Sequence, residues 1–308
     1  MKRREKRPGK KSESGSAIRC RSDYVFEGVC TLIVALFAIC CLAPFVYVFF
    51  TSFMTYEEYL ANPLRIIPRE FSLEAYKEIL DYELIHSGAL VSFTVTIVGT
   101  ALSVFLLVIT AYPLSRSHLK GRGFLMGMIL FTMFFNGGMI PNYLLVRNLG
   151  LFNTIWALIL PECISAFNLI LMKNFIHSSV PESLIEAAKI DGANDLRVLR
   201  SVIVPLMKPA IATMTIFHAV GYWNNYFSAT MYVSDRKLWP LTLVLRELVV
   251  ENTDSVSPVT AMLNAQARSH PFTLKMAAIV IVILPILVVY PFMQRYFVKG
   301  ISLGSIKE

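Results

Sequence analysis

Six long apolar runs govern what this 308-residue chain can become. They are Gly28–Phe50, Ser87–Tyr112, Phe124–Val146, Phe152–Met172, Pro209–Tyr232 and Phe272–Gln294. Each is long enough to cross about 30 Å of hydrocarbon as a helix. Only two charged residues, Glu162 and Lys275, fall inside them. Charged residues make up 16% of the chain, against about a quarter in an ordinary soluble domain. Lipid is therefore part of the solvent. The expected fold is an all-α polytopic membrane protein with six transmembrane helices. Pro44, Pro141, Pro161, Pro285 and Pro291 lie inside the runs; membrane helices tolerate them where neighbours satisfy the freed backbone groups.

The distribution of basic residues orients the spans. With both termini cytoplasmic, inner segments carry 20 of the 29 Lys and Arg and outer segments carry 8. That bias predicts N-in, C-in. The largest share comes from the N-terminal block that includes Lys2, Arg3, Arg4, Lys6 and Arg7. Set just before an apolar run, this block fits an anionic membrane surface better than nucleic acid, since no basic, aromatic-interleaved face follows. The first run exceeds the usual core of a signal peptide and no A-x-A site follows it, so it reads as a retained span. Residues 1–22 are expected to be a disordered basic cytoplasmic tail, and 23–308 the transmembrane domain.

Several chemistries are missing. Cys20, Cys30, Cys40, Cys41 and Cys163 show no metal or disulfide spacing. His86, His118, His177, His218 and His270 are scattered. No nucleophile–base pair stands out. No phosphate-binding G-x-x-x-x-G-K-[ST] loop exists. The expectation is a non-enzyme with no cofactor or metal of its own. Outside, Phe71–Leu80 should form a helix with Leu73, Tyr76, Ile79 and Leu80 on its apolar face, and Leu241–Val250 a second short helix.

The most informative segment is the loop at about 173–208, between the fourth and fifth runs. Ser179 and Glu182 have capping-box spacing. Pro181 suits a first helical turn. Gly192 is placed to end the helix in a left-handed conformation. Asn194 or Asp195 can start a second helix, with Leu196, Leu199 and Ile203 on one face and Pro205 and Pro209 closing it. The small Ala187 and Ala188 allow close approach to another surface, and Glu186 offers an anion to a basic groove.

Glu186-Ala187-Ala188, Gly192 and Val202-Ile203-Val204-Pro205 resemble the EAA loop of ABC importer permeases, with Val202 and Val204 as mild departures. Gly138-Met139-Ile140-Pro141, Asn153-Thr154-Ile155-Trp156-Ala157 and Asp191-Gly192-Ala193 are similar to the maltose-type carbohydrate permeases, in the branch serving oligomeric sugars. The resemblance covers roughly Ser22 to the C-terminus. It implies a subunit of a bacterial cell membrane importer that pairs with a second permease and receives sugar from an extracytoplasmic binding protein. Two separate ATP-binding subunits would bind ATP and dock on the loop through Glu182, Glu186, Ala187, Ala188, Asp191, Gly192, Ala193 and Pro205. The rival class is a secondary transporter uncoupled from ATP, for which Glu162 is the one intramembrane carboxylate.

The substrate path is expected along the fifth run. His218, Tyr222 and Asn225 share i, i+4, i+7 spacing, and Trp223 adds an aromatic ring suited to sugars. Interhelical hydrogen bonding explains the same residues equally well. Asn136, Gly138 and Pro141 mark a broken helix at the cavity or a close packing point.

Overall fold

The structure is a computed structural model that describes residues 21–63, 65–249 and 271–305. Every regular element among them is helical. Apart from its last two residues, the expected basic tail lies outside the described part. The described residues fall into two units, divided between Tyr47 and Val48. The described part of the first belongs to helix α1 (Arg21–Thr51), which runs through Pro44 without a break.

In the second unit, short helices α2 (Tyr56–Ala61) and α3 (Glu74–Leu80) fill the connection to the long helix α4 (Glu83–Ser115). The Glu58 carboxylate ties this connection together. It accepts from the Arg69 backbone N–H at 2.7 Å and from the Arg65 guanidinium at 3.2 Å. Burial alone would raise the Glu58 pKa, but these donors prevail and hold it below the usual range. The buried stripe of α3 is Ala75 and Ile79, whereas Leu73 and Leu80 are exposed. The face expected from sequence is thus rotated, because α3 begins only after Leu73.

Three runs are broken. The third divides into α5 (Arg122–Phe134) and α6 (Met139–Asn148), bent by 114°. Gly138 takes φ 92°, ψ 175° at the corner, and its N–H bonds the Asn136 side chain at 2.9 Å. Glycine reaches this backbone conformation without a Cβ penalty. Pro141 falls in the first turn of α6, where its missing N–H costs nothing.

The fourth run divides at Pro161. Helix α7 (Trp156–Ile159) tightens into a 3₁₀ turn, and after a 53° bend α8 (Ala166–Ser179) begins. Helices α9 (Glu182–Ile190), α10 (Asp195–Val198) and α11 (Val204–Leu206) form the following loop. A π turn at Leu199–Ile203 joins the last two. Pro205 explains that widened turn, since it has no N–H to give to a carbonyl four residues back.

The chain then bends 83° into α12 (Lys208–Asn224). The fifth run breaks again at Asn225, before α13 (Phe227–Tyr232). Helix α14 (Leu241–Val249) follows, and α15 (Pro271–Ser305) is the last long helix. Among the described residues three helices are long and apolar enough to cross a membrane, and up to six spans result if each bent pair counts as one.

Helix α4 organises this unit. Its C-terminal end, with Leu107, Ala111 and Leu114, shares a core with Met172, Ile176, Ile185, Val198, Ile203 and Met214. Its N-terminal end packs closely on α14. A Cβ on Gly88 would lie 3.3 Å from the Leu241 Cα and the Trp239 carbonyl.

Candidate functional site

The helix pair of the 173–208 loop is built from local rules. Helix α9 starts from Pro181, whose φ −58° and ψ 137° lead into it. The expected capping box is not formed: Ser179 is still the last residue of α8 and makes no cap bond to α9. Glu182 instead reaches sideways. It accepts from the Ser117 hydroxyl at 3.2 Å and lies 3.4 Å from the Arg116 guanidinium. These residues directly follow α4, so Glu182 fastens the start of α9 to the end of that helix.

The far end of α9 closes as the sequence predicts. Gly192 has φ 80°. Its N–H bonds the Lys189 carbonyl, and the Ala193 N–H bonds the Ala188 carbonyl at 2.9 Å. This pair of bonds satisfies carbonyls that the helix end leaves open. Nothing lies within 4 Å of a Cβ built on Gly192, so its constraint is backbone conformation alone. Asn194 starts α10 by accepting from the Arg197 N–H at 2.9 Å. Asp195 meets the Lys189 ammonium at 3.1 Å and accepts from the Tyr112 hydroxyl of α4 at 3.2 Å. The Lys189 bond holds the Asp195 carboxyl below its ordinary range.

One side of the pair is therefore anchored. Ile185, Val198, Leu199 and Ile203 are buried, and Ala188 and Ala193 pack against that core. The other side is open. Glu186, Ala187 and Asp191 are exposed. Ile190 is 85% exposed and Leu196 71%. Leu196 was expected beside Leu199 and Ile203. It faces outward because Val198 takes the inner position ahead of the π turn.

A second feature is a cleft of about 650 Å³ walled by α6, the 160–165 break and α13. Its polar lining is Asn136, Asn142, Glu162, Ser165, Ser228 and Tyr232. Ser228 donates to the Glu162 carboxylate at 3.0 Å and receives the Asn225 amide at 3.1 Å. Asn225 also accepts from the Ser228 backbone N–H at 3.1 Å, which caps α13.

The expected substrate-path residues thus separate. Asn136 lines the cleft. Gly138 forms the corner beside it. Asn225 lies beyond the end of α12, off the face shared by His218 and Tyr222, and reaches the cleft through Ser228. Tyr222 is buried against Gly99, where a Cβ would lie 2.8 Å from its ring. Its hydroxyl is 2.9 Å from that of Ser103 and donates to the Ile159 carbonyl at 3.0 Å. His218 is buried 3.3 Å from the Asn168 amide. Trp223 donates to the Val282 carbonyl at 3.3 Å. These three side chains join helices.

The comparisons with known proteins match this architecture. The family model "Binding-protein-dependent transport system inner membrane component" covers residues 16–303. The chain belongs to this family. It is an inner-membrane, multi-pass permease. It is 46% identical, over 88% of its length and 94% of the relative's, to the polygalacturonan/rhamnogalacturonan transport system permease protein YtcP of Bacillus subtilis. It is 29% identical, over 91% and 96%, to the melibiose/raffinose/stachyose import permease protein MelC of the same organism. A crystal structure of a bacterial ABC transporter involved in import of the acidic polysaccharide alginate contains a chain 34% identical to it. That match has a TM-score of 0.84 and covers 91% of this permease and 99% of that chain.

Two features of the permease escaped sequence reasoning. Ser228 was overlooked, although Asn225-x-x-Ser228 is itself a helix-start signal. The bond from Glu182 to Ser117 and Arg116 spans 65 residues, and no local pattern announces it.

Proposed function

We propose that this permease is one of two membrane subunits of an ABC importer for an oligosaccharide. An extracytoplasmic binding protein delivers the sugar. Two separate subunits bind and hydrolyse ATP, and this chain carries out no covalent chemistry. The observation that carries the reading is the near full-length similarity to permeases named for pectic and galactoside saccharides. Both termini are cytoplasmic in this reading, as the bias of basic residues supports.

The ATPase subunits dock on the open side of the α9–α10 pair. Support comes from the exposed Leu184, Ile190 and Leu196 beside the exposed anion Glu186, on helices anchored from behind. Apolar anchors with a charge at the rim suit a helix lying in a partner's groove. Glu186 and Ala187 touch the partner. Glu182, Ala188, Asp191, Gly192, Ala193 and Pro205 set the shape that presents them.

Reconstitution with the partner subunits tests this. Glu186→Ala and Ile190→Ser should leave membrane insertion and permease pairing intact. They should reduce ATPase attachment, or the ATP hydrolysis stimulated by loaded binding protein. Normal attachment and stimulation in both variants would refute the docking role.

A further inference from the structure

We propose that Asn153 is a positioning residue for transport, a latch that makes the turn between α6 and α7 and the turn after α13 move as one body when the importer switches access. This rests on the importer reading and deepens it by naming parts of the membrane path that are rigidly joined. Asn153 heads the stretch Asn153-Thr154-Ile155-Trp156-Ala157, yet it is not among the residues lining the cleft and lies outside the α9–α10 pair.

Asn153 has φ 62°, the one positive value outside glycine among the described residues. Asn tolerates a left-handed backbone better than most residues do, but Gly adopts it more readily still. Backbone conformation alone therefore does not call for Asn; the side chain does. Its Oδ1 accepts from the Ser234 backbone N–H at 3.1 Å and from the Asp235 backbone N–H at 2.8 Å. Its own N–H donates to the Tyr232 carbonyl at 2.8 Å, one of those that the end of α13 leaves open. The left-handed turn thus aims backbone and side chain of one residue at a single distant segment, 232–235.

The pieces joined in this way each end in a helix break. Helix α6 starts after the 114° bend that follows α5, α7 runs into the 53° bend before α8, and α13 begins after the break at Asn225. A few residues at such element ends can absorb the dihedral changes of a hinge. Between the breaks, Val146, Leu158, Ile159, Ala229 and Tyr232 belong to one buried cluster. Apolar packing is non-directional, so it resists separation more than sliding. Three directional bonds through Asn153 fix the register of α13 against the α6–α7 turn. A motion at any one break is then passed to the other two.

The test uses the assembled importer complex, freed of native cysteines, with spin labels on Leu149→Cys and Lys237→Cys. Both positions are exposed, one on each of the two turns. With Asn153 present, the distance between labels should be the same in the nucleotide-free complex and in the complex trapped with ATP and vanadate. Asn153→Gly keeps the backbone conformation and loses the Oδ1. It should broaden the nucleotide-free distance distribution and lower the ATP hydrolysis stimulated by loaded binding protein by about tenfold, the shift expected from losing two hydrogen bonds. Asn153→Asp keeps an acceptor and should retain the narrow distribution and most of the stimulation. A distance that changes between the two states with Asn153 intact would overturn the inference. So would an Asn153→Gly complex with the parent's distribution or the parent's stimulation, or an Asn153→Asp complex as impaired as Asn153→Gly. The nucleotide-free distances do not depend on transport, so failure of the importer reading would appear separately, as a complex with Asn153 intact whose ATP hydrolysis ignores the binding protein.

Discussion

Gly192 and Tyr222 show how differently single residues can be read. The role of Gly192 was legible, because a glycine after a short alanine-containing helix and before an Asn start has few other uses. Its φ of 80° and the empty space around it separate backbone strain from crowding. Gly192→Val should cost about 1–3 kcal/mol locally and abolish stimulated ATP hydrolysis. Gly192→Asn, which tolerates a left-handed backbone, should retain most of it. Equal losses in the two variants would mean that bulk, not conformation, decides. Tyr222 was legible as a polar aromatic group inside a span, but periodicity could not say what its hydroxyl meets. It meets Ser103 and Ile159. Tyr222→Phe should therefore lower stability by about 1–2 kcal/mol, seen as a lower unfolding temperature in detergent, without changing sugar preference.

At the scale of elements, apolar length located the helices but not their breaks. The bend at Asn136–Gly138 was legible as a possibility from its glycines. The break at Asn225 was not, because it depends on a side chain capping the next helix rather than on a helix breaker. The α9–α10 pair emerges as a body fastened to α4 at two points, Glu182 with Ser117 and Arg116, and Asp195 with Tyr112. Exposed ion pairs contribute little stability, about 0–1 kcal/mol, so these links hold orientation more than they hold the fold. Glu182→Ala combined with Asp195→Ala should leave the melting temperature nearly unchanged. It should weaken the coupling of ATP hydrolysis to uptake. A large loss of stability with normal coupling would contradict this. The Asp195 link also has a defined pH dependence. Its carboxyl is held below the ordinary aspartate range, first by the Lys189 bond, so its contribution is complete above that range and is lost as pH falls through the lower folded value. Coupling should not change near neutral pH on account of this group.

For the whole molecule, the class of fold was legible because hydrocarbon permits so few architectures. The arrangement of helices around α4 was not, since it depends on contacts such as Gly99 with Tyr222 and Gly88 with Leu241 that join distant parts of the chain. Orientation is open to a simple check. Single cysteines replacing Ser12 and Ser305 should be labelled from inside, and those replacing Ser72 and Ser255 from outside. Labelling of the first two from opposite faces would contradict the topology. The central claim is that this permease moves a saccharide only within an ATP-driven complex. Its most direct test is uptake into proteoliposomes containing this chain, with and without its partner permease, ATPase subunits, loaded binding protein and internal ATP. Uptake should require every component and fall to background when ATP is left out. Sugar uptake by this chain alone, driven by an ion gradient, would contradict it.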